Sequence, residues 1–350
     1  METRRNSNAD EMTPRERVLT AIRNGQPDRV PVLPAYQAGM MSRAHCRFSE
    51  CFSNGDTFVA AAVKCYEDLG FDGIFDFGMP PMIAEAAGAT LVIAQDNPPV
   101  PGEPVVKTYD DLDALQPRDV RSKGRVPHLL SIISRMRKAL GPDVAIVASG
   151  PIPFRIADCM RGTQGFYKDL IRNPAFVKRL VDFGVQPCIE YAEAAIEAGA
   201  DMLMIPDALS GKTAISRKHY EEFNYPYAKK VFDALNAKGI PYWLHTCGDW
   251  SDRFDLATEG PPCLHLAAEA DLAQLKSLYG SKISFAGNVS SVDVMLLGSV
   301  EDVTREARRC IERGAPGGGF ILSADCAVPP ATPEQNLHAL VAAAREYGRY

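Results

Sequence analysis

The chain has 350 residues, 46% hydrophobic and 23% charged, the balance of a globular protein with a large core; a disordered or fibrous chain is excluded. Its net charge of −6, with acids and bases interspersed, offers no basic face to nucleic acid or an anionic membrane, and no apolar run nears the ~20 residues of a membrane helix. The first residues lack the apolar segment of a secretory signal, and nine scattered cysteines, an odd number, are no disulfide framework, so a reducing cytoplasm is the expected compartment.

Residues 1–12 are polar and expected to be loose. Thr13, Pro14 and Glu16 are the cap, first-turn proline and capping-box acid of a helix that Gly25 ends, an N-terminal helical extension. An apolar strand over 30–34 follows and leads to Tyr36, Gln37 and Gly39. A helix over 58–69 gives way to a second strand, 73–75, ending on Asp76. Segments 90–94 and 104–107 flank a proline-rich turn and are expected to form a β-hairpin excursion after the second strand. A helix over 127–140 precedes a third strand, 144–148, which runs into Ser149. Helices over 166–171 and 174–198 lead to a fourth strand, 202–205, ending on Pro206 and Asp207. A helix over 216–238 precedes a fifth strand, 242–245. Strands over 263–266, 283–286 and 319–322 alternate with helices over 272–278 and 300–313, and a last helix starts at Thr332-Pro333-Glu334.

Eight short apolar strands alternating with helices predict an α/β fold with a parallel sheet. That number, with no G-x-G-x-x-G after the first strand, predicts a closed (β/α)₈ TIM barrel rather than an open sheet, one domain over residues 1–350. In such a barrel the functional groups follow the strands. The residues found there are Tyr36, Gln37, Asp76, Ser149, Asp207, His245, Cys247, His265, Glu269, Asn288 and Cys326.

His245 and Cys247 stand two apart on an extended segment, so their side chains point the same way. Cys326 follows the last strand. One imidazole and two sulfurs form a three-donor zinc set with an open fourth position, and the wide spacing is not that of a structural finger. Glu269 or His265, which share a face if the sixth strand stays extended, are candidate fourth ligands. Tyr36, Gln37, Asp76, Ser149, Asp207 and Asn288 are candidate substrate-binding residues, and each is also an ordinary strand-end residue. Arg155 or Arg161 is a candidate for an anionic tail, against the plainer reading of surface ion pairs. Cys46, Cys51, Cys65, Cys159, Cys188, Cys263 and Cys310 read as packed thiols, with Cys46 and Cys159 candidates for the mouth. His45, His128, His219 and His338 read as solvated or packed. A non-catalytic barrel with structural zinc is the reading from another class.

The sequence resembles the uroporphyrinogen decarboxylase superfamily over nearly its whole length. The resemblance is carried by Arg15-Glu16-Arg17-Val18, the run from Asn24 to Pro31, Gly199-Ala200-Asp201, "FNYPY" from Phe223, Gly287-Asn288-Val289 and "ILSADCAVPPATP" from Ile321. Within it, the His-x-Cys pair and the late cysteine look like the zinc-dependent corrinoid methyltransferase branch. That likeness implies a (β/α)₈ barrel, zinc on His245, Cys247 and Cys326, and no protein nucleophile beyond the zinc-bound acceptor thiolate. It also implies transfer of a methyl group between a methylcobamide on a corrinoid-binding protein and a small thiol or folate-like acceptor. An acidic ligand is expected near Ala267, where alanine stands. The rival branch decarboxylates tetrapyrroles and would carry arginines around Gln37-Ala38-Gly39; here Tyr36 and Met40 stand instead, and cannot clamp carboxylates. The proline-rich hairpin (97–104) and the segment 40–50 are the expected docking rim for the corrinoid protein, and a homodimer is expected without residues pointing to its interface.

Overall fold

The structure is a computed structural model that describes residues 10–94, 97–116 and 119–350. Its strands are β1 (Gly73–Phe75), β2 (Leu91–Val92), β3 (Val100–Pro101), β4 (Ala145–Ser149), β5 (Met202–Asp207), β6 (Tyr242–Thr246), β7 (Cys263–Leu266), β8 (Ser284–Val289) and β9 (Phe320–Ala324). Seven form one sheet in the order β1-β4-β5-β6-β7-β8-β9, each pair parallel. The expected first strand is the eighth stave. Its residues bridge both edges of the sheet: Leu322 donates to Pro31 and Leu33 to Leu322, each at 2.9 Å, and Asp72 donates to Val32 at 2.9 Å. Pro31 and Pro34 limit it to these few bonds, because proline has no N–H to give a ladder. The expected barrel is therefore present.

Strand parity sorts the side chains. Leu33, Phe75, Met202, Trp243, Cys263, Ala286 and Ile321 meet inside the barrel, where Val18, Ala21 and Ile22 of the helix Pro14–Ile22 plug the lower end. The alternate residues, such as Ile74, Leu203, Tyr242 and Leu244, pack outward against the helices. His245, two beyond Trp243, and His265, two beyond Cys263, continue the inward rows.

Several predicted elements differ in informative ways. The long helix expected over 174–198 is two, Pro174–Phe183 and Val185–Glu197. Pro187 has no N–H for the Phe183 carbonyl, so the first helix stops at Phe183. The helix expected over 216–238 contains a π-helical stretch, Tyr220–Asn224, before Tyr225–Ala237. Pro226 likewise leaves the Glu222 carbonyl without a donor, and the wider turn brings Asn224 onto Asp207, 2.9 Å from Nδ2 to Oδ2. The hairpin exists, but β2 pairs antiparallel with Val100–Pro101 rather than with 104–107, whose Val105 and Val106 donate instead to Met160. Residues 10–12 are tied down by Asp28, which accepts from Glu11 and Met12, and by Asp10 on Arg29; residues 1–9 of the expected loose segment lie outside the described residues. No helix is long and apolar enough to cross a membrane among the described residues.

Candidate active site

At the C-terminal end of the barrel, His245, Cys247 and Cys326 converge, one donor atom from each lying within 4.8 Å of the others. The His245 Nε2 is 3.6 Å from the Cys326 sulfur. Two loops hold this geometry. After β6, Gly248 takes φ +77°, and the carbonyl of Cys247 accepts from the Trp250 indole at 3.0 Å. After β9, Asp325 donates to Val289 at 2.7 Å and accepts from the Ser291 amide at 2.8 Å, which fixes the approach of Cys326.

The two thiols titrate as a pair. The first proton leaves readily from Cys326, chiefly because the Cys247 thiol donates to its sulfur; the second is held on Cys247, because another thiolate would lie against the first and because the site is buried.

His265 stands behind His245. The register of β6 and β7 pairs the two residues, and their Nδ1 atoms are 2.7 Å apart. Its Nε2 faces the Ala324 carbonyl at 2.8 Å and the Ser323 hydroxyl at 3.1 Å. Burial, then the neighbouring His245, pushes the His265 imidazole well down, so it is neutral. A carbonyl only accepts, so His265 carries its proton on Nε2 and offers the Nδ1 lone pair to His245. His245 therefore donates from Nδ1 and turns the lone pair of Nε2 toward the two sulfurs. Both ring nitrogens of His265 are thus taken up, and Ala324 and His245, rather than an ion, are its partners. Glu269 opens into a separate cavity of about 190 Å³ beside Gly248, Asp249 and Trp250.

Above the three donors lies a cavity of about 310 Å³. Gln37 and Ser149 line its opposite rim, with Phe48, Pro98 and Met204, and among the described residues no arginine, lysine, aspartate or glutamate lines it. The other predicted substrate residues stand back from it. Asp76 follows the inward Phe75 and so points outward, where its carboxylate accepts from the Ser149 amide at 3.1 Å and lies 3.4 Å from the Tyr191 hydroxyl; burial pushes it up to about 7. Asp207, on the same outward parity, is pushed up to about 6 by burial, against hydrogen bonds from Ser210 and Asn224. Asn288 donates to the carbonyls of Ala267 and Ala270 and holds the loop after β7. The Tyr36 ring is buried against Phe71 and lies where a Cβ on residue 39 would fall, which is why glycine stands there. Arg161 is fixed by Asp169 at 2.8 Å and by the Val106 carbonyl, and it lies over the rings of Tyr109 and Phe176, so it anchors the excursion rather than a ligand. Arg155 lines a neighbouring cavity. Cys46 and Cys159 are buried and line neither. Phe48 and Pro98 fall in the segments 40–50 and 97–104 expected at the mouth, without being singled out there, and Met204 is missed; none carries a chemical signal in a sequence, and only the barrel's curvature brings them together.

A closed parallel barrel with its chemistry at the strand ends fits one broad class of enzyme scaffold. Within that class the chain belongs to the uroporphyrinogen decarboxylase (URO-D) family, which it matches over residues 13–347. It is 29% identical to the methylcobamide:CoM methyltransferase MtaA of Methanosarcina barkeri, over 96% of this chain and 99% of that protein. It is 26% identical to a uroporphyrinogen decarboxylase of Anaeromyxobacter dehalogenans, over 95% of this chain and 99% of that one. A solved methyltransferase from Methanosarcina mazei superposes with a TM-score of 0.88 at 26% identity, covering 96% of this chain and 99% of the other.

Proposed function

We propose that this chain is a methyltransferase that moves a methyl group between a methylcobamide carried by a corrinoid protein and a thiol acceptor, at a zinc ion held by His245, Cys247 and Cys326. The observation that carries the reading is one imidazole and two sulfurs converging beneath an uncharged cavity. The residues fit the ion. Zn–S of about 2.3 Å and Zn–N of about 2.0 Å in a tetrahedron set nitrogen and sulfur roughly 3.5 Å apart, and His245 Nε2 and Cys326 Sγ stand at 3.6 Å. Bound there, zinc would remove the proton of an acceptor thiol and keep its sulfur nucleophilic at neutral pH.

The chain's own groups do the rest. His245 presents a bare Nε2 because His265 accepts its other N–H. The apolar walls exclude water from the reacting sulfur. Gln37 and Ser149 face it from the opposite rim. In the forward direction the sulfur–carbon bond forms as the cobalt–carbon bond breaks, the bonding pair leaves on cobalt, which passes from Co(III) to Co(I), and the thiol proton goes to solvent. Phe48 and Pro98 carry the cavity wall out to the rim, where Val92 and Val100 are exposed, and this is the docking face for the corrinoid protein. The decarboxylase reading is less well supported, because a substrate rich in carboxylates needs guanidinium groups and none of the described residues lining the cavity carries one.

The test is methyl transfer from free methylcobalamin to 2-mercaptoethanol. The zinc-loaded protein is expected to demethylate the cobalamin, with the Cys247→Ser and Cys326→Ser variants at least about 10²-fold slower, the usual scale for losing a group that acts on charge at the reacting centre. Undiminished transfer in both variants, or decarboxylation of a tetrapyrrole by metal-free protein, would overturn the reading.

A further inference from the structure

A second cavity, of about 250 Å³, adjoins the uncharged one and shares Pro80, Pro206 and Ala208 with it. Unlike the first, it holds charge of both signs, for Arg155 and Asp207 both line it. Arg155 gives Nη1 to Asp158 at 2.7 Å, while its Nε and Nη2 meet no acceptor among the described residues. It sits in the first turn of the helix Pro153–Arg161, whose N-cap residue, Ile152, provides no side-chain cap and lines the same cavity. An uncapped helix start adds positive potential to that of the guanidinium.

Asp207 supplies the opposite sign. It is 1% exposed; Oδ2 accepts from Asn224 at 2.9 Å, Ser210 and the Leu209 amide also donate to the carboxylate, and Oδ1 alone is left without a hydrogen bond of good geometry among the described residues. A buried carboxylate oxygen without a donor is costly to keep and marks a place where a donor is missing. Along the sheet, Pro206 is in register with His245 and Asp207 with Thr246. Asp207 therefore leaves the adjoining strand one residue past the level of His245, within reach of a ligand of a few carbons whose other end lies at His245, Cys247 and Cys326.

We propose that the second cavity binds the polar end of the methyl acceptor, and that this acceptor is an α-amino acid with a side-chain thiol. Its carboxylate lies on Arg155 and the open helix start, its ammonium on Asp207, and its sulfur passes Pro80, Pro206 and Ala208 to reach the three donors. The assignment rests on the methyltransferase reading above and differs from the CoM in the names of the relatives. Charge decides it. A thiol ending in an anion alone answers Arg155 but sets a second negative charge against Asp207. A thiol ending in a cation alone does the reverse, and a neutral thiol answers neither. Only a zwitterion satisfies both. Transfer then yields the S-methyl thioether of the amino acid.

Thiol binding to the cobalt(II)-substituted protein, read from its sulfur-to-metal absorption, tests this directly. The probes are homocysteine, 2-mercaptoethanesulfonate, cysteamine and 2-mercaptoethanol. Homocysteine is expected to bind at least about tenfold tighter than each of the others, the equivalent of one good charge-assisted contact. Arg155→Leu should bring it to the level of cysteamine and Asp207→Asn to that of mercaptoethanesulfonate, with 2-mercaptoethanol unchanged in both. If Asp207→Asn does not fold, the Arg155→Leu series decides alone. Homocysteine binding no tighter than mercaptoethanesulfonate, or a preference that survives Arg155→Leu, overturns the assignment and leaves the methyltransferase reading standing. Failure of every thiol to perturb the cobalt absorption overturns both.

Discussion

At the scale of single residues, the site depends on the direction of one hydrogen-bond chain. The Ala324 carbonyl accepts from His265, His265 accepts from His245, and His245 is left with a lone pair facing Cys247 and Cys326. Removing the middle link frees His245 to rotate and to change tautomer. His265→Leu is expected to lower zinc affinity about 10- to 100-fold in chelator competition, the usual cost of losing a partner behind a metal ligand. His265→Gln, whose amide offers an acceptor and a donor, should recover most of it. In the zinc-loaded protein the His245 Nδ1 proton should appear as a slowly exchanging imidazole resonance, absent in the leucine variant. Its absence from the unsubstituted protein would contradict the chain of bonds. His245 and Cys247 were legible from sequence because a strand places i and i+2 on one side. His265 was legible as a neighbour, but not in its role, since that depends on the β6–β7 register. Asp76 and Asp207 stand back from the uncharged cavity for a physical reason: each comes one residue after an inward position, so parity turns it away, Asp207 to line the adjoining cavity.

At the scale of elements, the barrel closes through an ion-pair network rather than a long ladder. Arg17 and Arg29 both reach Asp72, at 2.6 and 2.9 Å, and Asp72 also accepts from the Val32 amide at 2.7 Å. All three charged residues are buried. The carboxylate thus ties the proline-limited first stave to β1, and Asp28 steadies Arg17 from the other side at 2.6 Å. These residues include the Arg17 and the Asp28-Arg29 of the opening motif, so that part of the family likeness is structural. Asp72→Ala removes the buried carboxylate that Arg17 and Arg29 share, leaving Arg17 to Asp28 and Arg29 to Asp10, and is expected to cost about 3 kcal/mol in urea unfolding, the lower end for breaking a buried pair. A loss below about 1 kcal/mol would mean that the network does not close the barrel. The eight apolar staves were readable from period and length. The breaks at Phe183 and in the stretch Tyr220–Asn224 had a signal too, in Pro187 and Pro226, which an unbroken helical period conceals.

At the scale of the whole molecule, one end of the barrel is built for rigidity and the other for chemistry. The helix Pro14–Ile22 plugs the lower end, and residues 29–30 meet residues 348–349, with Val30 donating to Gly348 at 2.8 Å. The upper end carries an uncharged cavity over two thiols and an imidazole, beside a second cavity holding an arginine and an aspartate. The X-ray absorption spectrum of the zinc-loaded chain, taken with and without the Cys326→Ser substitution, tests this account most directly. One zinc per chain is predicted, with two sulfur neighbours at about 2.3 Å and one imidazole nitrogen at about 2.0 Å, and with a single sulfur left in the variant. Two sulfurs persisting after Cys326→Ser, or a chain that retains no zinc at all, would contradict it.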